Sequence, residues 1–418
     1  LIVATGILQL LIGLVLTSGG LSIETHVALK GESTLPIIKQ HQHQRNKSTQ
    51  GAPLVVLHVG PHKTGSTTLQ KKLLNYEQEL NQDGFFLPGA IPGLHSAYKS
   101  LANIAFSLQG YNRHTKAKTW PAFHAFLNRS NGHNIILSSE EFDRPSVNIS
   151  RLASLLESRR VQVVIVYRRL YAWLFSWYFE LHRYKLHRRW DVPRASLSRN
   201  RFDAFAEWLR LQLVEANDPT QFQHPLQAGA VLRRYQKHFG EVSIINFQAP
   251  LEDSTYVDFC CRILSVAAYH NTTCQRAVKE NKSTPGANTG SSLEPSRILY
   301  AAQESGLVSF QTEQQIQNAK SSVGRRLDEW NNSNRLNKYQ DCLEPYWIEA
   351  LFQSSLQEER EIVPSWFQQA NNGEAGLRSA FQSFRESKSP FCAVNTTKLF
   401  QNQEWQALLQ KLGGNITS

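Results

Sequence analysis

The sequence predicts an α/β fold, a central parallel β-sheet flanked by helices with a helical C-terminal extension. Residues 54–59, 134–137 and 161–167 are short, nearly continuous apolar runs rich in β-branched side chains. That is the pattern of strands buried on both faces of a parallel sheet. After the first and third runs, apolar residues recur at three- and four-residue steps, the period of a helix with one buried face. A chain of 418 residues, 41% of them hydrophobic, can also bury one large core of this kind.

The chain opens on an apolar run, residues 1–16, broken only by small residues and Gln9. Its length lies between a signal-peptide core and a full membrane span, so residues 1–22 are expected to be a signal anchor, or a cleavable signal ending near Ser18-Gly19-Gly20. Residues 23–52 read as a polar stem, and its His41 and His43 as solvated linker residues. Sequons stand at Asn46, Asn128, Asn148, Asn271, Asn281, Asn331, Asn395 and Asn415, which favours a lumenal or extracellular domain. The net charge of +11 and a pI near 9.4 suit an acidic ligand. Zinc-finger spacing, a basic-zipper pattern and an RNA-binding aromatic motif are missing from the sequence, so nucleic acid is not the expected partner.

The first strand, 54–59, interrupted only by His58, ends abruptly at Gly60-Pro61. From Thr64 onward, Thr68, Leu69, Leu73, Tyr76 and Leu80 mark one face of a helix. Between them lies a tight glycine-containing loop that feeds a helix N-terminus, where backbone N–H groups and the helix dipole favour an anion. Lys63 in that loop is unfavourable by about 0.3–1 kcal/mol unless something negative sits beside it. Next to Gly65, Ser66 and Thr67 it reads as part of a phosphate loop.

The order of residues distinguishes this loop from that of nucleotide triphosphatases, GxxxxGK[ST], in which Lys follows the last Gly. Here Lys63 precedes Gly65, and Ser66-Thr67 follow it. That order resembles the 5′-phosphosulfate loop of sulfotransferases, which use 3′-phosphoadenosine 5′-phosphosulfate (PAPS). The resemblance implies that Lys63 and the amides and hydroxyls of Thr64, Gly65, Ser66 and Thr67 grip the 5′-phosphate and bridging oxygen, with no metal required.

Residues 95–106 read as a helix start with an apolar face, and His95 there either faces the substrate or caps the helix. The strand at 134–137 runs into Ser138-Ser139-Glu140-Glu141-Phe142. Adjacent carboxylates at the end of such a strand either meet a ligand or form a solvated helix N-terminus capped by Ser. The strand at 161–167 ends in Arg168-Arg169, and its helix carries Leu174, Phe175, Tyr178 and Leu181 on one face. Two arginines there are expected to meet an anion.

Sulfotransferases are similar in binding the 3′-phosphate through an Arg at the end of this strand and a Ser eight residues later, which here are Arg168 and Ser176. In the same family the preceding strand delivers the catalytic base, which implies Glu140, or Glu141 if alternation along an extended strand is displaced by one residue. The family usually has a polar residue and Pro after the Arg; this chain has Arg169-Leu170. The resemblance covers residues 53 to about 265, including the helix, Gly240 and strand read at 232–247. The basic, aromatic stretch at 182–201 is either a rim for an acidic glycan or a solvated face.

Residues 53–265 are thus expected to be a nucleotide-binding core of P-loop type and 266–418 a mostly helical cap, with periodic stretches at 295–330, 342–362 and around Trp405 to Leu412. Of the five cysteines, one of Cys260 or Cys261 is expected to pair with Cys274, and Cys342 with Cys392. No CxxC or Cys/His set supports a metal site. The resemblance implies a Golgi-type, membrane-anchored enzyme that sulfates a carbohydrate hydroxyl. A P-loop kinase, a protein-tyrosine sulfotransferase and a non-catalytic glycan-binding protein remain the alternatives.

Overall fold

The computed structural model of the chain describes residues 52–88, 101–110, 113–189, 205–215, 222, 224–248, 254–281, 294–369, 372–388 and 390–413. The expected anchor and the stem up to residue 51 lie outside them, as does His95. Among the described residues no helix is long and apolar enough to cross a membrane.

The architecture is α/β, as the apolar runs predict. Strands β1 (Leu54–Val59), β2 (Phe85–Phe86), β3 (Asn134–Ser139), β4 (Arg160–Tyr167) and β5 (Glu241–Asn246) form a five-stranded sheet in the order β2-β3-β1-β4-β5. Every pairing in it is parallel. Helices α1 (Ser66–Asn75), α2 (Glu77–Gln82), α3 (Ala102–Leu108), α4 (Arg113–Arg129) and α5 (Ile149–Leu155) fall between the first four strands. Helices α6 (Leu170–Arg189), α7 (Phe205–Glu215) and α8 (Ala228–Gln236) connect β4 to β5.

Strand alternation explains how the sheet holds both layers. On β1, Val55, Leu57 and Val59 enter one core with α3, α5 and α8, while Leu54 and Val56 enter the opposite core with α1 and α2. Each fully buried aliphatic side chain is worth about 1.5–3 kcal/mol, and a one-residue slip would reverse both faces. His58 shares the second face. It is fully buried, its Nδ1 lies 2.8 Å from Ser138 Oγ, and burial pushes its pKa down to about 4, so it is neutral. The expected face from Thr64 onward is broken at Tyr76 into α1 and α2; Leu69, Leu73, Tyr76 and Leu80 are buried, but Thr68 is exposed.

The C-terminal region is helical, with α9 (Thr255–Asp258), α10 (Thr272–Asn281), α11 (Glu294–Glu304), α12 (Glu313–Asn332) and α13 (Pro345–Ile362) followed by shorter helices up to Gly413. It also contains an antiparallel pair, β6 (Gln340–Cys342) and β7 (Cys392–Val394), that periodicity did not predict. Helix α13 reaches into the sheet's own core through Ile362. The disulfides are Cys261–Cys274 and Cys342–Cys392. Cys260 is the buried free thiol, pushed up to about 12 by burial. Disulfides of this kind point to an extracellular or lumenal compartment.

Candidate active site

Parallel pairing brings the carboxyl ends of the strands to one edge: Val59 lies opposite Ser139 and Ile165, and Tyr167 opposite Asn246. The segments that follow are the loop before α1, the Glu140–Asp143 turn, Arg168 and Phe247. Open α/β sheets hold their ligands at this edge.

The loop is shaped by two left-handed residues, Lys63 at φ 67° and Gly65 at φ 86°. Such residues curl successive N–H groups into a concavity that suits an anion. Glycine suits position 65 because of its positive φ, and a Cβ there would rest in ordinary contact, 3.4 Å from the Phe247 ring. The first amides of α1 have no intrahelical partner by geometry, and no side chain caps them. Ser66 Oγ is buried with no hydrogen-bond partner. The Thr64 hydroxyl instead donates to Pro61 O at 2.6 Å, so it braces the loop. Lys63 Nζ pairs with Glu180 Oε2 on α6 at 2.9 Å, which is the negative neighbour its position demanded.

Arg168 leaves β4 and donates from Nη1 to Lys63 O at 2.8 Å, tying its guanidinium to the loop. It packs 5.1 Å from the Phe247 ring centroid. Its Nε is buried without a partner, and among the described residues it makes no ion pair. Burial alone lowers its pKa to about 10. A desolvated cation without a counter-ion is costly, and a bound anion would relieve it.

Arg169 meets a carboxylate of the chain itself. Its Nε donates to the buried Glu359 Oε1 of α13 at 2.8 Å, and Tyr167 OH donates to the same oxygen at 3.2 Å. This arginine fastens the C-terminal region to the sheet. Ser176 is half-buried on α6, one turn from Glu180 and three residues from Trp173, whose Nε1 donates to His62 O at 2.7 Å. Trp173 and Glu180 bond to the loop from one side of α6, and Ser176 lies between them in sequence on neighbouring turns. Side chains of the basic stretch beyond residue 181 lie outside the described residues.

The carboxylates do not alternate along a strand as expected. β3 ends at Ser139, and Glu140–Asp143 is a single 3₁₀ turn whose Glu141 N donates to Ser139 Oγ at 3.2 Å. The turn gathers its carboxylates on His62, a residue the sequence reading passed over. Asp143 is buried, and its Oδ2 accepts from His62 N at 2.8 Å and lies 2.7 Å from His62 Nδ1. His62 Nε2 lies 3.7 Å from Glu141 Oε1, and Glu141 Oε2 accepts from Arg144 Nε. Ligand atoms of His62, Glu140 and Glu141 fall within 4.8 Å of one another.

Burial works against a charged His62, but Asp143 and Glu141 outweigh it and push the pKa up to about 10, so His62 is an imidazolium at neutral pH. For Glu141, desolvation would raise the pKa, but its bonds to His62 and Arg144 prevail and hold it below the usual carboxylate value. One His and two Glu form a set that could hold a divalent cation. The imidazolium would first have to release its Nε2 proton, and Arg144 already neutralises Glu141.

No family model, curated protein or solved structure matches the chain. The site therefore rests on its geometry: a loop with two left-handed residues ahead of α1, a half-buried arginine tied to that loop, and a carboxylate turn after the neighbouring strand.

Proposed function

We propose that the chain is a PAPS-dependent sulfotransferase that acts on a carbohydrate hydroxyl in the lumen of the secretory pathway, anchored in the Golgi membrane by residues 1–22 or secreted. The observation that carries this reading is Arg168, desolvated and without a carboxylate, bonded to the backbone of a loop that curls its amides toward an anion. Arg168 and Ser176 would bind the 3′-phosphate, and Lys63 with residues 64–67 the 5′-phosphosulfate. The orphan Ser66 hydroxyl fits that role, whereas Thr64 acts through its amide.

In the reaction the acceptor oxygen attacks sulfur in line, and the bond from sulfur to the 5′-phosphate oxygen breaks to release 3′,5′-ADP. The acceptor proton passes to Glu140. Glu141 is the weaker base because two cations hold it ionised. Lys63 faces the charge that grows on the leaving oxygen. Incubation with PAPS labelled in its sulfate and a panel of glycans is expected to move label to a glycan, with release of 3′,5′-ADP. Label on tyrosine peptides alone would replace the acceptor, and PAPS left intact with every acceptor would count against transfer.

Glu180 competes with the nucleotide for Lys63. A partly exposed pair of this kind is worth about 0.2–1 kcal/mol. Glu180→Gln is therefore expected to tighten 3′,5′-ADP binding by up to about fivefold at low salt, with the gain fading at high salt. Weaker binding by the variant in calorimetry would mean that Glu180 helps to hold the loop instead.

A further inference from the structure

His62 joins three segments that the proposed reaction needs to keep in register. Its side chain and its N–H both bind Asp143 of the base turn, its carbonyl accepts from Trp173 of α6, and it directly precedes Lys63. The Asp143–His62 pair has the form of an acid–base dyad in hydrolytic enzymes. Its Nε2, however, faces the Glu141 carboxylate and not a hydroxyl.

We infer that His62 is a positioning residue of this site: clamped between Asp143 and Glu141, it locks the base turn to the nucleotide loop and supplies the positive charge that lets the turn's carboxylates stand together. This inference rests on the reading of the site as a sulfuryl-transfer site.

The groups that face His62 support the assignment. From the turn come Glu140, Glu141 and Asp143, with Arg144 acting through Glu141. Helix α8 contributes Arg234, which donates to the carbonyls of Asp143 and Arg144 and so grips the turn from behind. Among the described residues of α6, those that meet His62 are Trp173, and Trp177 with its ring 5.5 Å from the imidazole, both neutral. The neighbouring ammonium of Lys63 is taken up by Glu180. His62 is thus a main counter-charge to the carboxylates, and its high pKa keeps it charged through the neutral range. Already protonated, it does not compete with Glu140 for the acceptor proton.

Without the imidazolium, Glu141 would lose one of the two cations that hold its carboxylate, and the turn would lose its bond to the residue before Lys63.

The test uses the full chain and slow hydrolysis of PAPS, with water as acceptor. Water oxygen bonds to sulfur, the bond from sulfur to the phosphate oxygen breaks, and the proton leaves through the turn's carboxylate to solvent. His62→Gln is expected to keep 3′,5′-ADP affinity within about threefold and to slow hydrolysis by on the order of 10- to 100-fold through misplacement of the base. Asp143→Asn, which leaves the ring but releases it, should slow hydrolysis in the same way. An unchanged rate in folded His62→Gln protein overturns the inference, as does equal loss of binding and rate, which would mark a merely structural residue. Nitrogen-15 NMR of wild-type histidines supplies an arm free of nucleotide and of any variant's folding. One ring that stays imidazolium above pH 8 supports the clamp; histidines that are all neutral by then overturn it. A clamped ring in a protein that does not bind 3′,5′-ADP would separate failure of the sulfotransferase reading from failure of the clamp.

Discussion

Glu140→Gln is expected to lower turnover by about 10²- to 10⁴-fold, the usual worth of a positioned base, and to leave 3′,5′-ADP binding close to wild type. Gln keeps the size and one acceptor oxygen of Glu, so the 3₁₀ turn and its contacts to His62 persist while the proton acceptor is lost. Glu140 is favoured over Glu141 because Arg144 and His62 hold the Glu141 carboxylate and lower its basicity. Glu141→Gln should accordingly be the milder change. Steady-state rates of both variants with one acceptor check this, and full turnover by Glu140→Gln would remove it from the mechanism.

Arg168→Ala is expected to weaken binding of PAPS and of 3′,5′-ADP alike, by roughly 30- to 5,000-fold, the range for truncating one partner of a desolvated, hydrogen-bonded charge pair. Two losses combine. The anion loses a desolvated cation, and Lys63 O loses the donor that fixes the loop. Arg168→Lys restores charge but not the planar fork, so it should recover only part of the affinity. Unchanged affinity in Arg168→Ala would place the 3′-phosphate elsewhere. Arg169→Ala is distinguishable from it: Arg169 is bonded to Glu359, so its loss should lower the unfolding temperature more than the nucleotide affinity.

Much of the sheet was legible because β1, β3 and β4 are largely buried on both faces and therefore carry nearly continuous apolar runs. β2 escaped notice because two phenylalanines are too short a run to show a period. β6 and β7 escaped because their pairing joins residues about fifty positions apart, Cys342 opposite Cys392. At the candidate site, loop chemistry and spacing single out Lys63, Arg168 and Ser176, and the structure joins the first two through the bond from Arg168 to Lys63 O. His62 and Asp143 were not, since 81 positions separate them and nothing local to Asp143 marks it. His62 did leave a trace, an aromatic cation-former beside the loop lysine. Phe247 read only as the end of a strand, yet it lines both Gly65 and Arg168. The doublet Arg168-Arg169 shows the limit of local reading: adjacent side chains leave a strand end in different directions, one to the loop and one to Glu359.

The most direct test of the central claim is calorimetric titration of the chain with 3′,5′-ADP, with and without Mg²⁺, and with ATP as comparator. The account predicts metal-independent binding of 3′,5′-ADP, stronger than that of ATP and lost in both Lys63→Ala and Arg168→Ala. Absence of binding by folded protein, or a preference for ATP that requires Mg²⁺, would contradict it and move the kinase or glycan-binding readings ahead.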